Sequence, residues 1–103
     1  MASTKEYLFF ILEQLSQTNG VSYRAMMGEY IIYLNGKVIG GIYDDRFLVK
    51  QTPSSIKMLD GASLELPYPG AKEMLLVQDL ENKEFLSDLL YAICDELLAG
   101  KRK

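Results

Sequence analysis

Apolar and polar residues alternate most regularly between Tyr23 and Lys50, in the run YRAMMGEYIIYLNGKVIGGIYDDRFLVK. A period of two belongs to strands, and Asn35-Gly36 predicts a two-residue hairpin turn there, because such a turn needs positive φ at both central residues. Leu34 then faces Lys37, Tyr33 faces Val38, Ile32 faces Ile39 and Ile31 faces Gly40. A second reversal at Asp44-Asp45 sets Tyr43 opposite Arg46 and Ile42 opposite Phe47, completing a three-strand antiparallel meander. Its uncharged row, Ile31, Tyr33, Val38, Gly40, Ile42, Phe47 and Val49, is assigned to the core. The other row holds Tyr30, Ile32, Leu34, Lys37, Ile39, Gly41, Tyr43, Arg46, Leu48 and Lys50. That row is more apolar than a solvated face requires, so part of it should be covered.

Helical spacing flanks this ribbon. Leu8, Ile11, Leu12 and Leu15 fall at i, i+3, i+4 and i+7, with Phe9 and Phe10 widening the stripe. Ser3 and Glu6 fit a capping box at the start, and Asn19-Gly20 places the end near Gln17 or Thr18. Val21 to Met27 reads as a short lead-in strand, with Gly28 a bulge or close backbone approach. After the meander, Thr52 as N-cap and Pro53 at the first helical position predict a short helix over Ser54 to Leu59, closed at Gly61. The two prolines of Leu66-Pro67-Tyr68-Pro69-Gly70 make that segment a loop, and Glu73 to Val77 an edge strand. Asn82 then caps a helix whose apolar band runs from Phe85 through Leu89, Ile93 and Cys94 to Leu98, with its stop at Gly100. The expected architecture is α+β: an antiparallel sheet of four to five strands with the N- and C-terminal helices packed on one face.

The central run resembles the N-terminal domain of the TfoX (Sxy) family of regulators of DNA-transformation competence. The likeness is carried, in order, by Arg24, Met26-Met27-Gly28, the strand from Tyr30 to Tyr33, Gly36-Lys37, and Asp44-Asp45-Arg46 leading to Leu48 and Lys50. With the flanking elements it covers nearly the whole chain. Met27 stands where an aromatic is common in the family, and the chain ends where many members continue into a second, helical domain. The resemblance implies one TfoX N-terminal-like domain over residues 1–103 and no enzyme activity. It also implies a regulatory role in transcription through contact with another protein, such as transcription machinery, in a bacterial cytoplasm.

Composition narrows the remaining choices. A chain of 103 residues suits one domain. Lys and Arg total 11 against 14 Asp and Glu, for a net charge of −3. Three of the positive charges close the chain at Lys101-Arg102-Lys103, where they suit the negative end of a helix dipole. The balance is the wrong sign for long-range attraction to phosphate, so direct DNA binding is expected to be weak or absent. A single cysteine, Cys94, excludes an internal disulfide and fits a reducing compartment. The apolar YLFFIL near the start is bounded by Lys5-Glu6 and Glu13, unlike a signal-peptide core, and no run is long enough to span a bilayer.

Chemistry-bearing constellations are sparse. With no histidine, the commonest general base and the commonest zinc ligand are both missing, and one cysteine cannot build a thiolate site, so no catalytic residue, metal or cofactor is expected. Cys94 belongs to an apolar helix band, Asp44-Asp45 to a turn, and the glycines lack phosphate-loop spacing. Glycine at 40 and 41 instead lets an aromatic or a helix approach the sheet. Arg24 fits either a partner-facing fork or an ion pair with Glu29 or with an aspartate of the 44–45 turn; the acidic surroundings favour the pair. Arg24, Tyr30, Tyr43 and Arg46 form the candidate contact set for a partner or ligand, and Gly28, Asn35, Gly36, Asp44 and Asp45 the structural turns. The alternative to a regulatory module is a homodimeric small-molecule-binding or structural domain without a role in transcription. Its interface would be the outer-face residues Ile32, Leu34, Ile39 and Leu48.

Overall fold

Turn chemistry organises the sheet. The computed structural model describes residues 3–101. Asn35 and Gly36 take φ of 51° and 82°, and Asp44 and Asp45 take 53° and 55°, so both expected reversals form as two-residue hairpin turns. A third is made by Met27 and Gly28, at 53° and 85°. Gly28 is therefore a turn residue, as its place in the turn set implies, and a point of close backbone approach, its carbonyl accepting from the Ser3 amide, but it is not a bulge. These turns link β1 (Val21–Met26), β2 (Glu29–Leu34), β3 (Lys37–Ile42) and β4 (Phe47–Val49) into an antiparallel meander. Two further strands, β5 (Leu64–Glu65) and β6 (Met74–Leu76), complete a six-stranded sheet of order β1-β2-β3-β4-β6-β5. The strand expected at the edge, β6, is interior because β5 pairs along its outer side.

The hairpin register is as expected near its turn, with Leu34 opposite Lys37 and Tyr33 opposite Val38. It then slips. Ile32 faces Gly40 and Ile31 faces Gly41, so a β-bulge accommodates one extra residue, Ile39. A one-residue slip exchanges faces, which corrects the assignment for half the ribbon. Tyr30, Ile32, Leu34 and Ile39 join Ile42, Phe47 and Val49 in the core, while Ile31, Tyr33 and Val38 are only partly buried on the other side. Ile32, Leu34, Ile39 and Leu48 are all fully enclosed, so none of the four can line the expected dimer interface.

Three helices close the core face. α1 (Lys5–Gln14) contributes Leu8 and Ile11, and Leu15 follows at its C-cap. α3 (Lys83–Lys101) contributes Leu86, Leu89, Leu90, Ile93 and Cys94. Phe9 and Phe10 do not widen the buried stripe; they are 58% and 41% exposed. The cap of α1 is Thr4, which accepts from the Tyr7 amide, because Ser3 is drawn into tertiary bonds instead. The helix ends at Gln14, earlier than Asn19-Gly20 suggested. α2 (Pro53–Met58) starts as expected, with Thr52 and Ser55 forming a reciprocal capping box. Asn82 accepts from the Phe85 amide at 3.0 Å at the start of α3, which runs through Gly100 rather than stopping there. Arg102 and Lys103 of the basic tail lie outside the described residues. Among the described residues no helix is long and apolar enough to cross a membrane.

Candidate binding cleft on the outer sheet face

The sheet side away from the helices carries an open cleft of about 710 Å³. The β1–β2 hairpin tip, Met26 and Met27, forms one side; Leu66, Pro67 and Tyr68 form the other; Tyr43 lies between them. A second hollow of about 580 Å³ reaches Ile31, Val38 and Met74 and shares Met26, Tyr43, Pro67 and Tyr68 with the first. Tyr68 borders both depressions. It is 54% exposed, and its ring centroid lies 6.2 Å from that of Tyr43.

Tyr43 can lie flat against the strand because Gly41 has no side chain. A Cβ at Gly41 would come within 2.6 Å of the Tyr43 ring. Burial is the main reason the Tyr43 phenol is pushed above its ordinary value, and the nearby Tyr68 and Glu29 add to it. The phenol therefore stays neutral and offers the cleft a hydroxyl in an apolar wall.

Arg46 holds the opposite wall in place. Its guanidinium donates to the Tyr43 carbonyl at 3.0 Å, to Glu65 at 2.7 Å and to the Leu66 carbonyl at 3.1 Å. Glu65 also accepts from the Ser63 hydroxyl at 2.7 Å, and these two donors, Ser63 first, lower its carboxyl pKa. The planar fork thus ties the turn after β3 to β5 and to the loop behind it. With those donors committed, Arg46 acts as a strut of the cleft.

The hairpin side is anchored from the N-terminus. The Ser3 hydroxyl donates to Glu29 at 2.6 Å and accepts from the Asp45 amide at 3.0 Å. Glu29 accepts in addition from the Asp44 amide at 3.1 Å, and Asp45 accepts from the Thr4 amide at 2.9 Å. The aspartate turn, the Met27-Gly28 hairpin and the start of α1 are therefore one bonded unit. Ser3 also receives the hairpin directly, its amide donating to the Gly28 carbonyl.

The expected contact set is split by the fold. Tyr43 and Arg46 meet in the cleft, with Asp44 at its margin. Tyr30 is 8% exposed and packs in the core, edge-on to Tyr23 at 6.0 Å. Arg24 is exposed on β1 opposite Ile31, outside the residues lining either hollow. The ion pairs seen among the described residues are Arg46–Glu65 and Lys83–Glu13, so the expected Arg24 pair is not formed. Leu66 and Tyr68 line the cleft but lie outside the expected contact set, although two prolines bracketing an aromatic in Pro67-Tyr68-Pro69 are a usable signal for a stiff, presented ring.

No family model and no solved structure matches the chain. A curated relative is described as an uncharacterized 12.7 kDa protein in the trpE 5' region of Spirochaeta aurantia, 32% identical over 102 residues, which span 98% of this chain and 89% of the relative. On that likeness the chain belongs to the same family as the Spirochaeta aurantia 12.7 kDa protein.

Proposed function

We propose that this protein is a non-enzymatic regulatory module that holds an apolar segment of a protein partner in the outer-face cleft. The observation that carries this reading is the rim: Met26, Met27, Leu66 and Tyr68 are 42%, 95%, 48% and 54% exposed around one depression. Exposed apolar side chains scattered singly are ordinary, but several converging on one concavity favour a contact surface. Methionines adapt to irregular surfaces, and a half-exposed tyrosine presents area at small entropic cost. The TfoX resemblance supplies the class of partner, a component of the transcription machinery that controls competence genes. A net charge of −3 argues that promoter DNA is reached through that partner.

The test is affinity capture from bacterial lysate on the immobilised protein, beside Tyr68→Ala and Met27→Ser variants. Recovery of a transcription protein by the parent chain and its loss by both variants, at unchanged melting temperature, is expected. Equal recovery by all three would remove the cleft from the account. A small organic ligand in the same cleft is a second reading. It is favoured by a volume of about 710 Å³, inside the range of roughly 300–1,000 Å³ usual for ligand sites. A thermal shift with metabolite mixtures that disappears in Tyr68→Ala would support it.

A further inference from the structure

The two margins of the sheet are treated very differently. β5 is two residues long and is followed by Pro67 and Pro69, which blunt that edge. β1 is six residues long, holds no proline and only one charge, Arg24, and is exposed from Ser22 to Met26. Among the described residues no strand lies beside it on its outer side.

Hydrogen-bond parity says which backbone groups that edge offers. The Asn35 amide donates to the Gly20 carbonyl at 3.0 Å, one step beyond the Val21–Leu34 pair. Bonded pairs alternate along an antiparallel ladder, so Ser22, Arg24 and Met26 exchange bonds with β2. The two-residue turn between Met26 and Glu29 requires the same parity. Val21, Tyr23 and Ala25 therefore aim their N–H and C=O groups away from the protomer.

We infer that β1 is a self-association edge, at which two copies pair antiparallel about a two-fold axis through Tyr23 to make one continuous sheet. Outward-bonding residues must pair with one another, which limits the register. An axis at Tyr23 sets Val21 against the partner's Ala25 and Tyr23 against its own copy, using all three outward residues. Arg24 then faces Ser22 of the partner subunit. An axis at Arg24 would oppose two like charges, and an axis at Ser22 would leave Ala25 outside the bonded pairs. Tyr23, 45% exposed and already edge-on to Tyr30, stacks against its copy in the favoured register. Because β5 is too short to receive β1, the pairing closes as an isologous dimer and does not propagate head to tail. The cleft of the proposed function is not needed for this pairing.

Sedimentation equilibrium of the full chain tests it, beside Tyr23→Lys and Ala25→Pro. The lysines would face each other across the axis, and proline at 25 removes an outward N–H that no bond within the protomer uses. The parent chain is expected to dimerise, and each variant to weaken association by roughly tenfold or more, with unchanged far-UV circular dichroism. Tyr68→Ala, which alters the cleft, should dimerise like the parent. A parent chain that stays monomeric up to about 1 mM would overturn the inference. So would folded variants that dimerise undiminished, or an edge that takes up an unrelated extended peptide but no second copy.

Discussion

Gly40 and Gly41 are adjacent in sequence and serve opposite sides of the sheet. A Cβ at Gly40 would collide with the Leu48 carbonyl and lie 2.7 Å from the Val49 Cα, so β4 can pair this closely only because nothing projects there. At Gly41 the obstacle would be the Tyr43 ring, 2.6 Å away, which is the cleft floor. A ring can shift, whereas backbone in a ladder cannot without losing bonds. Gly40→Ala is therefore predicted to destabilise the protein by about 2–3 kcal/mol, as overpacking does, measured by urea unfolding. An effect near zero would mean that β3 and β4 are less tightly paired than described. Ser3 shows the same dependence on context. Its sequence position suggested a helix cap, but a hydroxyl that both donates to Glu29 and accepts from the Asp45 amide is better satisfied across the fold.

At the scale of elements, what could be read from sequence was whatever depends on local backbone demands. Asn35-Gly36, Asp44-Asp45 and Thr52-Pro53 each impose a conformation on their own neighbours, and all three formed as expected. Gly28 is a turn residue as its place in the turn set implies, but Met27 as the other central residue is not legible, because a methionine at positive φ is uncommon and carries no polar turn signature. The bulge at Ile39 escaped for a different reason. It is followed by two glycines, whose missing side chains leave the alternation blank where the register slips. Periodicity could then count faces correctly on either side of the gap but not across it. Arg46 was singled out as a contact, but its binding to Glu65 and Leu66 depends on a strand that pairs only in the folded sheet.

The junction of α2 with α3 gives a pH test. Glu96 of α3 accepts from the Ser54 amide at 3.0 Å and the Ser54 hydroxyl at 2.6 Å, at the start of α2. These bonds, the hydroxyl first, hold its carboxyl below the ordinary 4.5. Since the folded value is the lower one, the carboxylate's contribution is complete above pH 4.5 and is lost as pH falls through the folded value. Glu96→Gln should thus lower the melting temperature at neutral pH, with the gap to the parent closing on acidification below 4.5. A gap that is constant with pH would assign the loss to packing.

For the whole molecule, the bulge decides which side of the sheet does what. Helices cover Tyr30, Ile32, Leu34 and Ile39, and that leaves Ile31, Val38, Tyr43 and the Tyr68 loop to shape the outer hollows. The proposed partner contact and the edge pairing at β1 both presuppose this arrangement. Without the slip, Ile31 and Val38 would be core residues and would not line the second hollow beside the cleft. Native-state thiol labelling of Ile31→Cys, Val38→Cys and Ile32→Cys reads this most directly, because the protein's own Cys94 is buried. The thiols at 31 and 38 should react promptly in the folded protein, and the thiol at 32 only after unfolding. Rapid reaction at 32 with protection at 31 and 38 would contradict the register and the outer face built on it together.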